Sequence, residues 1–238
     1  MPENPGRALV AEAIGTFTLC FVGILAIDAA GPGGLAGVAF AHGLAIAVMV
    51  AALGAISGGH FNPAVTIGFL VTKRMTLQRA AMYWAAQLGG GLVAAVLLAW
   101  LIGADKVGNG TPSLGSYDSV TGAVLEAVAT FFLVLVVFGT AVDERAPKSV
   151  FPMAIGLTVT LDILAIGPKT GAAMNPARAF GPALVSGELR DHWVWWIGPL
   201  LGGVAAALLY SGYLMVNAPR PPAAELGGPT VPEERGNP

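Results

Sequence analysis

Six stretches of the chain, about 8–30, 35–56, 80–103, 119–141, 150–167 and 193–216, run for some twenty residues with at most two charged side chains each. A helix needs about 20 apolar residues to cross the roughly 30 Å hydrocarbon layer of a bilayer. The fold class is therefore an all-α membrane protein with six transmembrane helices. Composition agrees: 55% of residues are hydrophobic and only 11% charged, against roughly a quarter charged in soluble domains. The 12 Lys and Arg nearly balance 14 Asp and Glu, so neither a nucleic acid nor another polyionic partner is implied. A single cysteine, Cys20, excludes an internal disulfide and any Cys-rich metal site, and reads as a buried inert thiol. The first run is not a cleavable signal, being too long and lacking a small-residue cleavage site before the next span.

Two apolar stretches remain, 62–72 and 175–185, each about half the length needed to cross. Both begin Asn-Pro-Ala. Asn is a favoured N-cap and Pro is pre-set for the first helical position, so each tripeptide starts a helix. A half-length helix entered by a loop is tolerated at membrane depth only where it lines a cavity inside a bundle.

The halves resemble each other at a fixed offset. Asn62 and Asn175 lie 113 residues apart, as do Gly43 and Gly156 and the pairs Gly89-Gly90 and Gly202-Gly203. Ala11-Glu12-Ala13 matches Leu125-Glu126-Ala127 at 114. Each repeat, about 8–103 and 119–216, holds three spans and one half-span; three is odd, so the second repeat inserts upside down. The half-helices then enter from opposite faces and meet near the midplane, the architecture of inverted-repeat transport proteins.

Lys and Arg set the orientation. With the amino terminus inside, the cytoplasmic side carries Arg7, Lys73, Arg74, Arg79, Arg145, Lys148, Arg220 and Arg235, and the other side only Lys106, Lys169, Arg178 and Arg190. Both termini are expected in the cytoplasm, with 1–7 a short amino-terminal segment, 8–216 the membrane domain and 217–238 a disordered tail rich in Pro, Gly and Glu. Short loops and the lack of a targeting peptide point to a multi-pass protein of a prokaryotic plasma membrane.

Where the half-helices meet, both present free N–H groups and the positive end of the helix dipole. The side-chain amides of Asn62 and Asn175 add two donors. One water oxygen accepts from both, which turns its hydrogens outward and breaks the chain along which protons hop. Cations meet two positive dipole ends, so the site favours neutral polar solutes. The plainer reading makes each Asn an ordinary helix cap.

The segments Ser57-Gly58-Gly59-His60-Phe61-Asn62-Pro63-Ala64-Val65-Thr66 and Met174-Asn175-Pro176-Ala177-Arg178-Ala179-Phe180-Gly181-Pro182 resemble the paired signatures of the aquaporin and glycerol-facilitator (major intrinsic protein) family. The resemblance covers about residues 8–216. It implies six tilted helices plus two re-entrant half-helices, homotetramers with one pore per subunit, and passage of water and small neutral solutes. Glu12 and Glu126 are costly within a bilayer; they read either as a proton relay or, as the resemblance implies, as anchors for the two re-entrant loops. His60 is expected to hydrogen-bond within its loop. Asp162 either neighbours a pore-lining position or caps and bridges within the bundle.

Arg178, always charged, needs backbone carbonyls as partners and still offers donors toward a pore. The resemblance implies a constriction formed by this Arg with positions 20 before the first Asn and 12 and 3 before the second, here His42, Ile163 and Ala172. Strict water channels of the family pair Phe with His and a small residue, and bacterial glycerol facilitators use Trp, Gly and Phe. The set His42, Ile163, Ala172 and Arg178 is similar instead to that of plant tonoplast intrinsic aquaporins, implied to pass water and often ammonia, urea or hydrogen peroxide. Pro168 and the run from Asn175 to Gly187 resemble that group too, while Ala179, Ala183 and the Trp195-Trp196 pair lean toward water channels rather than glycerol facilitators.

The leading expectation is a passive channel for water and small uncharged solutes that excludes protons and ions. The alternative within the family is a facilitator chiefly for ammonia, urea, glycerol or hydrogen peroxide. An ion-coupled secondary transporter shares inverted repeats, but Glu12, Glu126 and Asp162 do not fall beside the two Asn residues. An enzyme is not expected: there is no metal cluster, nucleophile elbow or phosphate loop, and so no cofactor.

Overall fold

The computed structural model describes residues 5–30 and 34–215. The tail expected at 217–238 lies outside the described residues. Among those described, six helices are long and apolar enough to span a membrane. They are α1 (Pro5–Ala30), α2 (Leu35–Ser57), α4 (Leu77–Ile102), α6 (Ser119–Val136), α7 (Phe151–Thr170) and α9 (Val194–Leu209). The half-helices α3 (Pro63–Val71) and α8 (Pro176–Ser186) begin at the two predicted prolines. A short α5 (Ala104–Asn109) was not expected from the sequence.

Two boundaries differ from expectation. Helix α1 is already helical at Pro5, the first described residue, ahead of the expected start near residue 8. Helix α7 continues through Pro168 to Thr170. The last turns of α6 and α9 widen into π-helical turns, Val137–Val142 and Tyr210–Leu214, which touch each other.

Local chemistry accounts for the starts. Asn62 Oδ1 accepts from Ala64 N at 2.8 Å, and Asn175 Oδ1 from Ala177 N at 3.0 Å. Asp118 caps α6 by accepting from Val120 N and Thr121 N, and bonds with Thr121 hold its carboxyl below the usual carboxylate range. Large apolar side chains on the outer faces, such as Trp100 and Val93, are exposed as lipid-facing residues should be.

Glycines bring the helices together as the repeat predicts, with one shift in register. Helices α2 and α7 cross at Gly43 and Gly156, where a Cβ on either would collide with the other's carbonyl. A Cβ at Gly90 would overlap the Ala13 carbonyl, and one at Gly202 the Ala127 carbonyl; Gly91 faces Ala177 O as Gly203 faces Ala64 O. The equivalent pairs are therefore Gly90-Gly91 and Gly202-Gly203, 112 residues apart, while Gly89 touches nothing. A run of three glycines hides its own register, and only close packing against α1 and α8 reveals which two are inside. The result is two inverted halves with α3 and α8 meeting at the centre.

Candidate functional site

The two re-entrant loops match residue for residue. Gly58, Gly59 and Phe61 have positive φ of 96°, 65° and 48°, and Gly171, Ala172 and Met174 have 78°, 44° and 49°. Left-handed backbone at Phe61, Ala172 and Met174 costs on the order of 1–2 kcal/mol each, so other bonds must hold it. Glu12 accepts from Ser57 Oγ (2.6 Å), His60 N (3.0 Å), Phe61 N (2.7 Å) and Gln87 Nε2 (2.7 Å). Glu126 accepts from Thr170 Oγ1 (2.7 Å), Ala173 N (2.9 Å) and Met174 N (2.7 Å). Tyr83 Oη donates to Ser57 O at 2.7 Å, and Trp195 Nε1 to Thr170 O at 2.9 Å. Both buried carboxylates thus accept hydrogen bonds from the backbone of the re-entrant loops. His60 was expected to bond within its loop; its partner is instead Thr66 Oγ1 of α3, at 3.1 Å.

Asn62 and Asn175 are brought together across the pseudo-twofold. Asn62 Nδ2 donates to Met174 O at 2.8 Å, and Asn175 Nδ2 to Phe61 O at 2.9 Å. Each amide has two N–H groups. One is consumed by the opposite loop, so each Asn has one donor to spare rather than two. The strained residues Phe61 and Met174 are thus the ones whose carbonyls the opposite Asn grips.

Both Asn residues line a narrow central cavity, about 50 Å³ in the volume open to water centres. At about 10–15 Å³ of such volume per water, it holds a short file of a few molecules. Its walls are mostly apolar, including Val50, Val65, Leu133 and Ile155. A wider vestibule of about 340 Å³ lies beyond it, edged by Asn109 to Ser113. Three of the four residues singled out from the sequence, His42, Ile163 and Arg178, line both cavities, and the fourth, Ala172, lines the narrow one.

Arg178, 5% exposed, donates from Nη1 to Gly110 O at 2.8 Å and from Nη2 toward His42 Nε2 at 3.5 Å. His42 Nδ1 faces Val38 O at 2.8 Å, so Nδ1 carries the proton and Nε2 is left as an acceptor. The His42 ring has room only because position 23 is glycine, whose added Cβ would overlap it. Neither Gly23 nor the Gly110 carbonyl was found from the sequence; both act through distant packing, and neither belongs to a motif. Cys20 is buried, as expected. No group of three or more possible metal ligands occurs among the described residues.

At the opposite mouth Asp143 follows the π-helical turn of α6. Its carboxylate takes the Arg145 guanidinium and Tyr210 Oη (3.0 Å), and Lys148 Nζ reaches Asp143 O at 2.7 Å. Hydrogen bonds from Arg145 hold the Asp143 carboxyl well below the usual carboxylate range.

A bundle of six spans, two half-helices meeting head to head and one narrow, mostly apolar path define a transmembrane channel. The family profile described as Major intrinsic protein matches residues 3–210, and the chain belongs to that family. It is 48% identical to aquaporin TIP4-4 of Zea mays over 91% of this chain and 90% of that one. It is 42% identical to aquaporin TIP2-1 of Arabidopsis thaliana, covering 92% and 91%. The solved aquaglyceroporin of Plasmodium falciparum superposes with a TM-score of 0.78 at 26% identity, over 89% of this chain and 97% of that one. The chain is a multi-pass membrane protein and a passive channel for water and small solutes.

Proposed function

We propose that the channel passes water and small uncharged solutes in single file and rejects protons and ions at two places, the paired Asn62 and Asn175 and the constriction of His42, Ile163, Ala172 and Arg178. The observation that carries this reading is the convergence of those four side chains where the narrow cavity meets the vestibule. A solute there finds donors from Arg178, an acceptor at His42 Nε2 and an apolar wall at Ile163. Deeper in, the spare N–H of each Asn and the N-terminal ends of α3 and α8 orient a water and repel cations.

Ile163 offers no hydrogen bond and Ala172 little bulk, so ammonia, urea, glycerol or hydrogen peroxide are cargo beside water. A facilitator chiefly for one of these is the second reading, favoured by the same apolar wall. Both termini are assigned to the cytoplasmic face of the plasma membrane on the Lys and Arg imbalance and the short loops, and the assembly is assigned as a homotetramer on the family resemblance. The test is stopped-flow swelling and shrinkage of proteoliposomes without any ion gradient, using water, glycerol, urea and ammonia in turn. Accelerated water flux with no current supports the channel; transport that appears only with an ion gradient would overturn it.

A further inference from the structure

The segment 108–113, the end of α5 and the strap after it, stands between two spaces. On one side lies the vestibule that His42 and Arg178 line, and on the other a larger cavity of about 1000 Å³ that reaches Asp118, Ser186 and Trp195. Asn109, Thr111, Pro112 and Ser113 line both. The strap is therefore a partition, and where it sits sets the outer wall of the path. It bears on the filter residues twice. Gly110 O accepts from Arg178 Nη1 at 2.8 Å. Pro112 packs against Gly171, just before Ala172, so closely that a Cβ on Gly171 would come within 2.7 Å of Pro112 Cβ.

Helix α8 grips this strap at both of its ends. Arg178, in its first turn, holds Gly110 O, and Ser186, its last residue, has its Oγ 3.2 Å from Thr111 Oγ1. The direction of the second bond follows by elimination. A serine has one hydroxyl hydrogen, and that of Ser186 goes to Pro182 O at 2.8 Å, so Thr111 donates and Ser186 accepts. Thr111 is the one residue of 108–113 whose side chain makes a hydrogen bond among the described residues. Turn bonds from Gly110 N to Val107 O and from Thr111 N to Gly108 O make the two neighbours one unit, so whatever seats Thr111 also seats the Gly110 carbonyl. The fit is close: a Cβ at Gly108 would stand 3.3 Å from Ser186 Cβ, and one at Gly110 2.7 Å from Ile24 Cγ1. Helix α8 does not fix the separation of its two grips by itself, because Pro182 lies between them and offers no N–H to the Arg178 carbonyl four residues earlier.

We propose that Ser186, acting through Thr111, is a positioning residue for the constriction. The hydroxyl pair seats the strap so that the Gly110 carbonyl meets Arg178, and it keeps the vestibule closed off from the larger cavity beside it. The inference rests on the reading of His42, Ile163, Ala172 and Arg178 as the filter. With the pair broken, the strap is free to shift toward the larger cavity. Arg178 then loses its fixed acceptor, the pressure of Pro112 on Gly171 is relieved, and the outer mouth widens. Water already fits a single file and gains little, whereas a bulkier neutral solute such as glycerol gains most.

Two measurements on the full reconstituted protein test this, with Thr111→Val and Ser186→Ala each cutting the same bond from a different side. Amide hydrogen exchange over residues 104–116 reads the strap itself and does not depend on the channel reading. It should rise in both variants and stay at the wild-type level in Thr111→Ser, which keeps the hydroxyl. Stopped-flow permeability reads the filter. The glycerol-to-water ratio should rise by about fivefold, the change in an equilibrium made by one hydrogen bond of ordinary net strength. Thr111→Ser should restore the wild-type ratio, and the double variant Thr111→Val with Ser186→Ala should exceed neither single one. Wild-type exchange in the cut variants overturns the proposal, and so does faster exchange with an unchanged ratio, because the strap would then move without moving the filter. A Thr111→Ser variant that behaves like Thr111→Val refutes the role of the hydroxyl. Should one variant fail to fold, the other carries the same test. Wild-type protein that passes no solute without an ion gradient would sink the channel reading instead, and the exchange data would still decide whether Ser186 holds the strap.

Discussion

Replacing Gly23 with alanine puts one methyl group behind the His42 ring and nothing else in the pore. A Cβ at Gly23 would lie 2.8 Å from ring carbons Cδ2 and Cε1 and closer still to Nε2, whereas ordinary contact begins at 3.4 Å. The ring must therefore move by about 1 Å to regain van der Waals separation. Its Nδ1–H bond to Val38 O, at 2.8 Å, resists that movement, at a net value of about 1 kcal/mol. Overpacking of this kind costs about 1–3 kcal/mol. The open direction is the cavity, where His42 already faces Arg178, so the ring intrudes on the proposed single-file path. A rise of about 1.4 kcal/mol in the permeation barrier is a tenfold loss of rate, and roughly that loss is expected in osmotic shrinkage of proteoliposomes. Gly37→Ala is the control, because a Cβ there meets nothing within 4 Å. Combining Gly23→Ala with His42→Ala should restore flux by removing the displaced ring. Gly23→Ala protein that folds and conducts water like wild type, with unchanged solute ratios, would refute the placement of His42 in the constriction.

Asn62→Asp or Asn175→Asp places a carboxylate at two positive helix ends and should produce cation leak in liposome current recordings; a folded, proton-tight variant with normal water flux would show that the amides do not face the pore. Ile163→His adds a polar group to the apolar wall and should cut ammonia and urea flux more than water flux, read by stopped-flow; unchanged ratios would remove Ile163 from the filter. Arg145 holds the Asp143 carboxyl below its ordinary value, so the contribution to stability is present above about pH 3.9 and fades as pH falls below it. Asp143→Asn should accordingly lower the thermal midpoint at neutral pH, with the difference from wild type shrinking in acid.

Much of this was legible because the repeat writes the same physics twice. Asn62 with Pro63 and Asn175 with Pro176 announce helix starts by capping rules that need no tertiary information, and their spacing with Glu12 and Glu126 marks the repeat, which three spans per half turn upside down. The glycine register was off by one because Gly89, Gly90 and Gly91 are alike until α1 and α8 press on two of them. Gly23 and the Gly110 carbonyl were illegible for a related reason: one acts by leaving space and the other through a backbone atom every residue possesses. The cross-loop bonds of Asn62 and Asn175 were missed because they join carbonyls of residues whose side chains carry no signal.

Those cross-loop bonds have a consequence for how the protein is made. Asn62 is tied to Met174 and Asn175 to Phe61, so neither re-entrant turn can be finished while only half of the polypeptide has left the ribosome. At synthesis rates of about 5–20 residues per second, the separation of 112 residues keeps the first turn waiting for roughly 6–22 seconds. During that interval α3 has no opposite half-helix, and only first-half groups such as Glu12, Thr16 and Tyr83 restrain its loop. The nascent first half is thus the stage at which insertion machinery or a quality-control protease would find the chain most open, and damage to either Asn should show in biogenesis before it shows in transport.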